Sequence, residues 1–235
     1  MKPVVVFRHA QCEGAGYLGV FLNQHAIPWC EVRIDLGEAI PTSVSDYSGL
    51  VFMGGPVSVN DDLPWIPQAT KLILKAFDAD VPVIGHCLGG QLMSKALGAE
   101  VTKNAVEEIG WGQVQVHESE DATKWFGKTK QFLGFHWHGE TFSLPEGATC
   151  LLSSQHCVNQ AYAFGKHLAM QCHVEMTGDL VEKWYGFWEA DIEASISSPA
   201  VQSKQEVLEN LSERVKTLNQ QAHYLYGQWI KGLCV

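Results

Sequence analysis

Residues 83–91 read VIGHCLGGQ, with Cys87 centred in G-x-C-x-G between Gly85 and Gly89. An apolar run that stops, a nucleophile in the turn and a helix-forming run that starts at once make a strand-to-helix elbow. Such a turn lifts a side chain above the sheet edge, and it needs small neighbours because the backbone there is crowded and strained. A helix opening at Leu88 would aim its free N–H groups and the positive end of its dipole at the thiol. Both favour a thiolate and can hold an oxyanion. Elsewhere in a chain a cysteine is ordinarily an inert buried side chain. The elbow reverses that reading without choosing the reaction, because α/β-hydrolases and other α/β families use the same turn.

A thiol nucleophile needs a base, and the base needs an orienting group. The chain has ten histidines, so proximity in sequence cannot choose among them. In AMQCHVEM (169–176), His173 and Glu175 are two apart at the end of an apolar stretch that reads as a strand. Residues i and i+2 of a strand share a face. A carboxylate placed so can hold the imidazole in the useful tautomer. Alone, H-x-E describes many surface strand ends as well.

The elements that would position these groups follow from hydrophobic periodicity. PVVVF (3–7), WCEVRIDL (29–36), GLVFMGG (49–55) and VPVIG (81–85) read as strands, the continuous apolar runs being those of a sheet buried on both faces. IPQATKLILKAFDA (66–79) and LGGQLMSKALG (88–98) read as helices. The alternation predicts an α/β fold, an open and mostly parallel twisted sheet with helices on both faces. Residues 101–175 hold short alternating stretches, such as WGQVQVH (111–117), that predict an added antiparallel β segment. From 179 on the pattern is helical. Ser203 and Glu206 form a capping-box signature. Leu211, Val215, Leu218, Ala222, Leu225 and Trp229 make a stripe that could close the protomer's own core or pair with a second copy in a homo-oligomer. The expected division is a main domain over 1–190 and a helical extension over 191–235.

Composition excludes several function classes. The 235 residues carry 16 Lys plus Arg against 26 Asp plus Glu, a net charge of −10, with no basic cluster to offset it. Nucleic acid and anionic membranes are therefore not expected partners. The N-terminal MKPVVVF is too short for a signal peptide, and no run is long enough to span a bilayer. Seven scattered cysteines argue against a disulfide framework and for a reducing cytoplasm. His136, His138, His156, Cys157, Cys172 and His173 match no common metal-ligand spacing, so neither metal nor cofactor is expected. GAGYLG (14–19) fits G-x-G-x-x-G, but six residues separate Gly14 from the strand tip where a dinucleotide fingerprint must begin. It reads instead as a helix with small residues on its packing face.

G-H-C-L-G-G-Q (85–91) and Q-C-H-V-E (171–175) together resemble the signature segments of the class I, triad-type glutamine amidotransferases. GLVFMGGPVSVNDD (49–62) is similar to the family's glycine-rich loop. EEIGWGQV (107–114) and FHWHGETFSLPEGATCLLSS (135–154) resemble further family segments. The likeness runs in order over roughly residues 3–190. Val174 and Cys172 stand where the family usually has proline and an aromatic, the mark of a divergent branch.

The resemblance implies the flavodoxin-like amidotransferase architecture and hydrolysis of the glutamine side-chain amide, as in the amidotransferase part of GMP synthases. Cys87 would be the nucleophile, His173 the base and Glu175 its orienting group. The backbone N–H groups of Gly55 and Leu88 would hold the oxyanion, and Gln91 would help recognise glutamine. The same likeness puts His138 and Glu108 near the pocket without a catalytic step. Only about 45 residues follow the amidotransferase-like part, so an ammonia-accepting synthetase is expected as a separate protein. A γ-glutamyl peptide or amide hydrolase with the same triad and a wider pocket is the alternative. A non-catalytic binding relative is disfavoured by the intact Cys87, His173 and Glu175 set.

Overall fold

The computed structural model describes residues 1–234. The chain opens with β1 (Val4–Arg8), whose Val4, Val5, Val6 and Phe7 are all fully buried. Because strand side chains alternate, Val4 and Val6 enter one core while Val5 and Phe7 enter the other. A run apolar on both faces can be satisfied only by helices on both sides. Next come α1 (Gly16–Gln24), β2 (Trp29–Arg33), β3 (Gly49–Phe52), α2 (Trp65–Asp78), β4 (Val83–His86) and α3 (Leu88–Ala96). The second strand is shorter than its apolar run suggests: Ile34–Leu36 form a single 3₁₀ turn closed by left-handed Gly37.

The middle of the chain supplies β5 (Val101–Val116), α4 (Glu120–Phe126), β6 (Gln131–Phe142), β7 (Thr149–Ser154), β8 (Ala161–Phe164) and β9 (His167–Met170). The parallel part of the sheet has the order β2-β1-β3-β4-β9, the flavodoxin-like arrangement. Beyond β9 the sheet continues antiparallel through β8, β7, β5 and β6, the added segment that the alternating stretches predict. The core around α1 lies on one face, and the core around α2 and α3 lies on the other.

The last part holds α5 (Gly178–Phe187), α6 (Glu189–Ser195), the two-residue strand β10 (Ala200–Val201), α7 (Lys204–Leu208) and α8 (Leu211–Trp229). The Ser203–Glu206 capping box is formed, but it caps the short α7 rather than the long helix. Leu218, Ala222, Leu225 and Trp229 of the apolar stripe are buried in the core shared with α1 and β1. β10 pairs with β5, so this stretch joins the main sheet. No helix among the described residues is long and apolar enough to cross a membrane.

The tightest packing is at the β4–α3 elbow. A Cβ on Gly89 would lie 2.0 Å from the Phe52 carbonyl oxygen, and one on Gly85 would lie 2.4 Å from the Gly89 carbonyl carbon. The helix start therefore rests directly on the ends of β3 and β4, which only glycine permits. Gly89→Ala is expected to destabilise the fold by more than about 2 kcal/mol, since neither contact is with a flexible side chain. Urea denaturation of the variant against the parent chain measures it.

Candidate active site

The loops at the carboxyl ends of β1, β3, β4 and β9 converge above the sheet edge, the place where open α/β sheets hold ligands. Cys87 sits at the elbow with φ 50° and ψ −108°, a conformation that non-glycine residues rarely adopt. Its N–H is held by Met170 O at 2.7 Å, and its C=O accepts from Gln91 N at 2.9 Å. Leu88 is the first residue of α3, so its N–H has no intrahelical acceptor.

His173 and Glu175 lie beyond β9 rather than on it, which corrects the shared-strand-face reading. The strand ends at Met170, and His173 is held instead by an isolated bridge to β6, with its N–H donating to Phe135 O at 2.8 Å. The two side chains still meet: His173 Nδ1 lies 2.6 Å from Glu175 Oε1, both groups buried. A proton on Nδ1 leaves Nε2 as the free face of the ring. Nε2 has no hydrogen-bond partner, and the residue lines the same cavity as Cys87. Burial opposes charge on this imidazole, but Glu175 and the Cys87 sulfur outweigh it and hold its pKa well above the ordinary histidine value. Burial likewise opposes charge on Glu175, yet His86 and His173 bring its carboxyl below the usual range.

The polar contacts of the sulfur are Trp137 O at 3.6 Å and the Gln171 amide nitrogen at 3.5 Å. Gln91 donates to Gln171 Oε1 at 3.1 Å, so its amide is engaged in a buried chain that ends on Cys87. Gln91 also lines a second cleft that borders Cys87, together with His138. Glu108 is not among the residues lining either opening beside Cys87. Its carboxylate is buried against His138 Nε2 at 3.1 Å.

Glu108, His136 and His138 bring one ligand-type atom each within 4.8 Å of one another, the group best able to hold a metal among the described residues. It shares His136 and His138 with the six positions considered from sequence, adds Glu108 and leaves out the other four. The Gln160 amide nitrogen lies 2.9 Å from Glu108 Oε2, 3.3 Å from His136 Nδ1 and 3.4 Å from His138 Nε2. The cluster is thus a buried hydrogen-bonded hub as it stands.

Four groups at the site carried no sequence signal. His9, after β1, lies with Nδ1 3.0 Å from Gly54 O. Because a peptide's C=O and N–H point opposite ways, fixing Gly54 O also fixes the direction of Gly55 N–H. Gly55 is closely packed: a Cβ there would lie 2.6 Å from Leu88 Cδ2. Glu13 is buried in the cavity with Oε2 unpartnered. A Cβ on Gly54 would lie 2.9 Å from Glu13 Oε1 and 3.0 Å from His173 Cε1, so these two groups flank the same backbone atom. His86 Nε2 lies 2.9 Å from Tyr226 OH and 3.7 Å from Glu175 Oε2. Trp184 stands edge-on to the His173 ring at 4.9 Å. Finding any of these from one sequence would require knowing which loops meet.

A cysteine at the elbow of a doubly wound sheet, beside a carboxylate-held imidazole, defines an α/β protein of the nucleophile-elbow class. Residues 18–187 match the model of the family described as glutamine amidotransferase class-I. The solved structure of a glutamine amido transferase from Methylobacillus flagellatus has a TM-score of 0.97 and 43% identity, over 100% of this chain and 96% of that one. A glutamine amidotransferase from Thermotoga maritima gives 0.88 and 25%, over 98% of each chain. The glutamine amidotransferase-like protein YfeJ of Salmonella typhimurium is 34% identical over 167 residues, 67% of this chain and 68% of that protein. The GMP synthase of Lactobacillus delbrueckii is 32% identical over 131 residues, 54% of this chain but 24% of that protein. The chain thus spans about a quarter of such synthases. It belongs to the class I glutamine amidotransferase family.

The buried titratable groups set a pH profile for stability. Burial pushes His9, His136 and His167 down to about 4. Between that value and about 6.5 the unfolded chain binds more protons, so stability falls as pH drops. Burial pushes Glu13 up to about 8, so Glu13 acts with the opposite sign and lowers stability as pH rises from about 4.5 to about 8, and the raised His173 does the same above about 6.5; below that the three histidines outweigh Glu13. Stability is expected to peak near pH 6.5 and to be lower at pH 5 by on the order of 3 kcal/mol. Denaturant midpoints at pH 5, 6.5 and 8 check both slopes.

Proposed function

We propose that the protein hydrolyses the side-chain amide of glutamine to glutamate and ammonia through a γ-glutamyl thioester on Cys87. The observation that carries this reading is the His173–Glu175 contact at 2.6 Å with the unpartnered Nε2 bordering the cavity of Cys87. Glu175 holds the ring so that Nε2 takes the thiol proton as sulfur attacks the amide carbon. The oxyanion that forms would be met by Leu88 N–H at the start of α3 and by Gly55 N–H, aimed by His9. His173 then gives its proton to the departing nitrogen as the C–N bond breaks. Water attacks the thioester, His173 takes its proton, and the thiol is restored.

The ammonia would serve a synthetase on a partner protein, as the likeness to GMP synthases suggests. The second reading, a hydrolase of larger γ-glutamyl amides, is favoured by the indole-walled cavity on the His173 side.

Purified protein should release ammonia from glutamine, and Cys87→Ala should lower turnover by at least ~10³-fold. An electrophilic glutamine analogue should give one adduct by mass spectrometry, on Cys87 and on no other cysteine. Retained turnover in Cys87→Ala would end the nucleophile assignment. His9→Ala should lower kcat about tenfold to a hundredfold, less than loss of a whole oxyanion donor. Steady-state kinetics on glutamine compare kcat with KM.

A further inference from the structure

Two openings border Cys87, and the proposed chemistry tells them apart. The general acid must reach the departing nitrogen, so the leaving group lies on the His173 side. Space for the centre of a water-sized sphere in that opening amounts to about 40 Å³, roughly three times the ~10–15 Å³ that one water needs on that measure, so it exceeds what a departing ammonia fills. The other opening holds Gln91 and no part of His173, which suits the γ-glutamyl portion.

The imidazole-side cavity has a definite chemistry. Its carboxyl groups are Glu13, buried with Oε2 unpartnered, and Asp191, exposed at the solvent side. Trp137, Trp184 and Trp188 form one wall, their rings 5.0–5.8 Å apart in tilted and edge-on pairs. Neither Lys nor Arg is among the residues lining it. Indole faces attract cations, and so do carboxylates. An anionic group there would face Asp191 and find no Lys or Arg, with at most one hydrogen bond from a neutral Glu13 carboxyl. The unpartnered Oε2 of a buried glutamate is itself a costly arrangement that a bound donor would relieve.

Resting on the amide-hydrolase reading of Cys87, we infer that this cavity is a leaving-group subsite for γ-glutamyl amides of amines that carry a second positive charge. The reaction balances as γ-glutamyl amide plus water giving glutamate plus the free amine. The thiol proton passes through His173 to the amine nitrogen, and the proton of the attacking water passes through His173 back to sulfur. The distal ammonium lies against the indole wall between Glu13 and Asp191. Burial holds the Glu13 pKa at about 8, so a cation docked there would draw it into the charged form.

The test compares kcat/KM for glutamine and for γ-glutamyl amides of three amines of similar length: 1,4-diaminobutane, butylamine and 4-aminobutanoate. The 1,4-diaminobutane amide should exceed the butylamine amide by at least tenfold, and the 4-aminobutanoate amide by more. Glu13→Gln and Asp191→Asn should each reduce the ratio of the first to the second at least threefold, a change that a purely structural role would not produce. An unchanged ratio in both variants overturns the inference. So does equal or better turnover of the butylamine or 4-aminobutanoate amide, or turnover of glutamine alone; all of these leave the hydrolase reading in place. If none of the four compounds is hydrolysed, or if Cys87→Ala hydrolyses them as well as the parent, the reading beneath it fails instead.

Discussion

Everything at the site hangs on the contact between the first turn of α3 and the strand ends beneath it. Gly89 lies against Phe52, a Cβ on Gly90 would lie 2.6 Å from Met170 O, and Cys87 N–H bonds that same carbonyl. Three strands, β3, β4 and β9, thereby fix one peptide. Close packing of this kind transmits displacement rather than absorbing it. The left-handed backbone of Cys87 is the conformation left once the helix is seated so low, and it stands the sulfur above the sheet instead of in it. Strain at one residue is sustained because the surrounding contacts over-determine it.

Around the imidazole–carboxylate pair the structure spends elements from both ends of the chain. Glu175 O accepts from Tyr17 N at 2.8 Å, at the start of α1. A Cβ on Gly16 would lie 2.3 Å from that oxygen, and Gly16 has φ +50°. The small residues of GAGYLG therefore allow a helix terminus to close on the backbone of Glu175. From the other end, Tyr226 of α8 holds His86, which faces the second oxygen of Glu175. A carboxylate with so little solvent must be surrounded by donors and dipoles to stay charged. The long C-terminal helix is thus part of what orients the imidazole, although it lies far from the signature segments in sequence.

These particulars explain what one sequence could and could not disclose. The strands β1, β3 and β4 and the elbow were legible because burial on both faces and the glycine spacing are local demands. Cys87 was legible from its elbow, whereas among ten histidines only the weak H-x-E pattern singled out His173 and Glu175, and the resemblance added weight to that choice. The strand argument paired two side chains that do meet, but for a wrong local reason: β9 stops at Met170, whose O turns to the elbow, and β6 takes over. His9 and Glu13 sit in a loop whose sequence looks ordinary. Their meaning comes from the switch point between β1 and β3, where the loops after both strands face one another, a property of topology and not of pattern. The capping box at Ser203 was real but belonged to a five-residue helix, because a capping signature reports where a helix begins and not how far it runs.

The buried cluster behind Trp137 has a place in the same logic. Pairing of β5 with β6 is irregular between Lys103 and Glu108, and the first regular pair beyond it is Glu108 opposite His138. A one-residue slip of that ladder would turn Glu108 and His138 to opposite faces and leave a carboxylate buried without its partners. Such a loss costs several kcal/mol, whereas the intact pair adds little net stability over apolar packing. The cluster therefore acts mainly against the wrong register. The residue between His136 and His138 is Trp137, whose carbonyl meets the Cys87 thiol and whose indole walls the cavity. Holding the register of β6 holds both, so a buried polar pair of which only His138 lines an opening beside Cys87 still determines what surrounds the thiol.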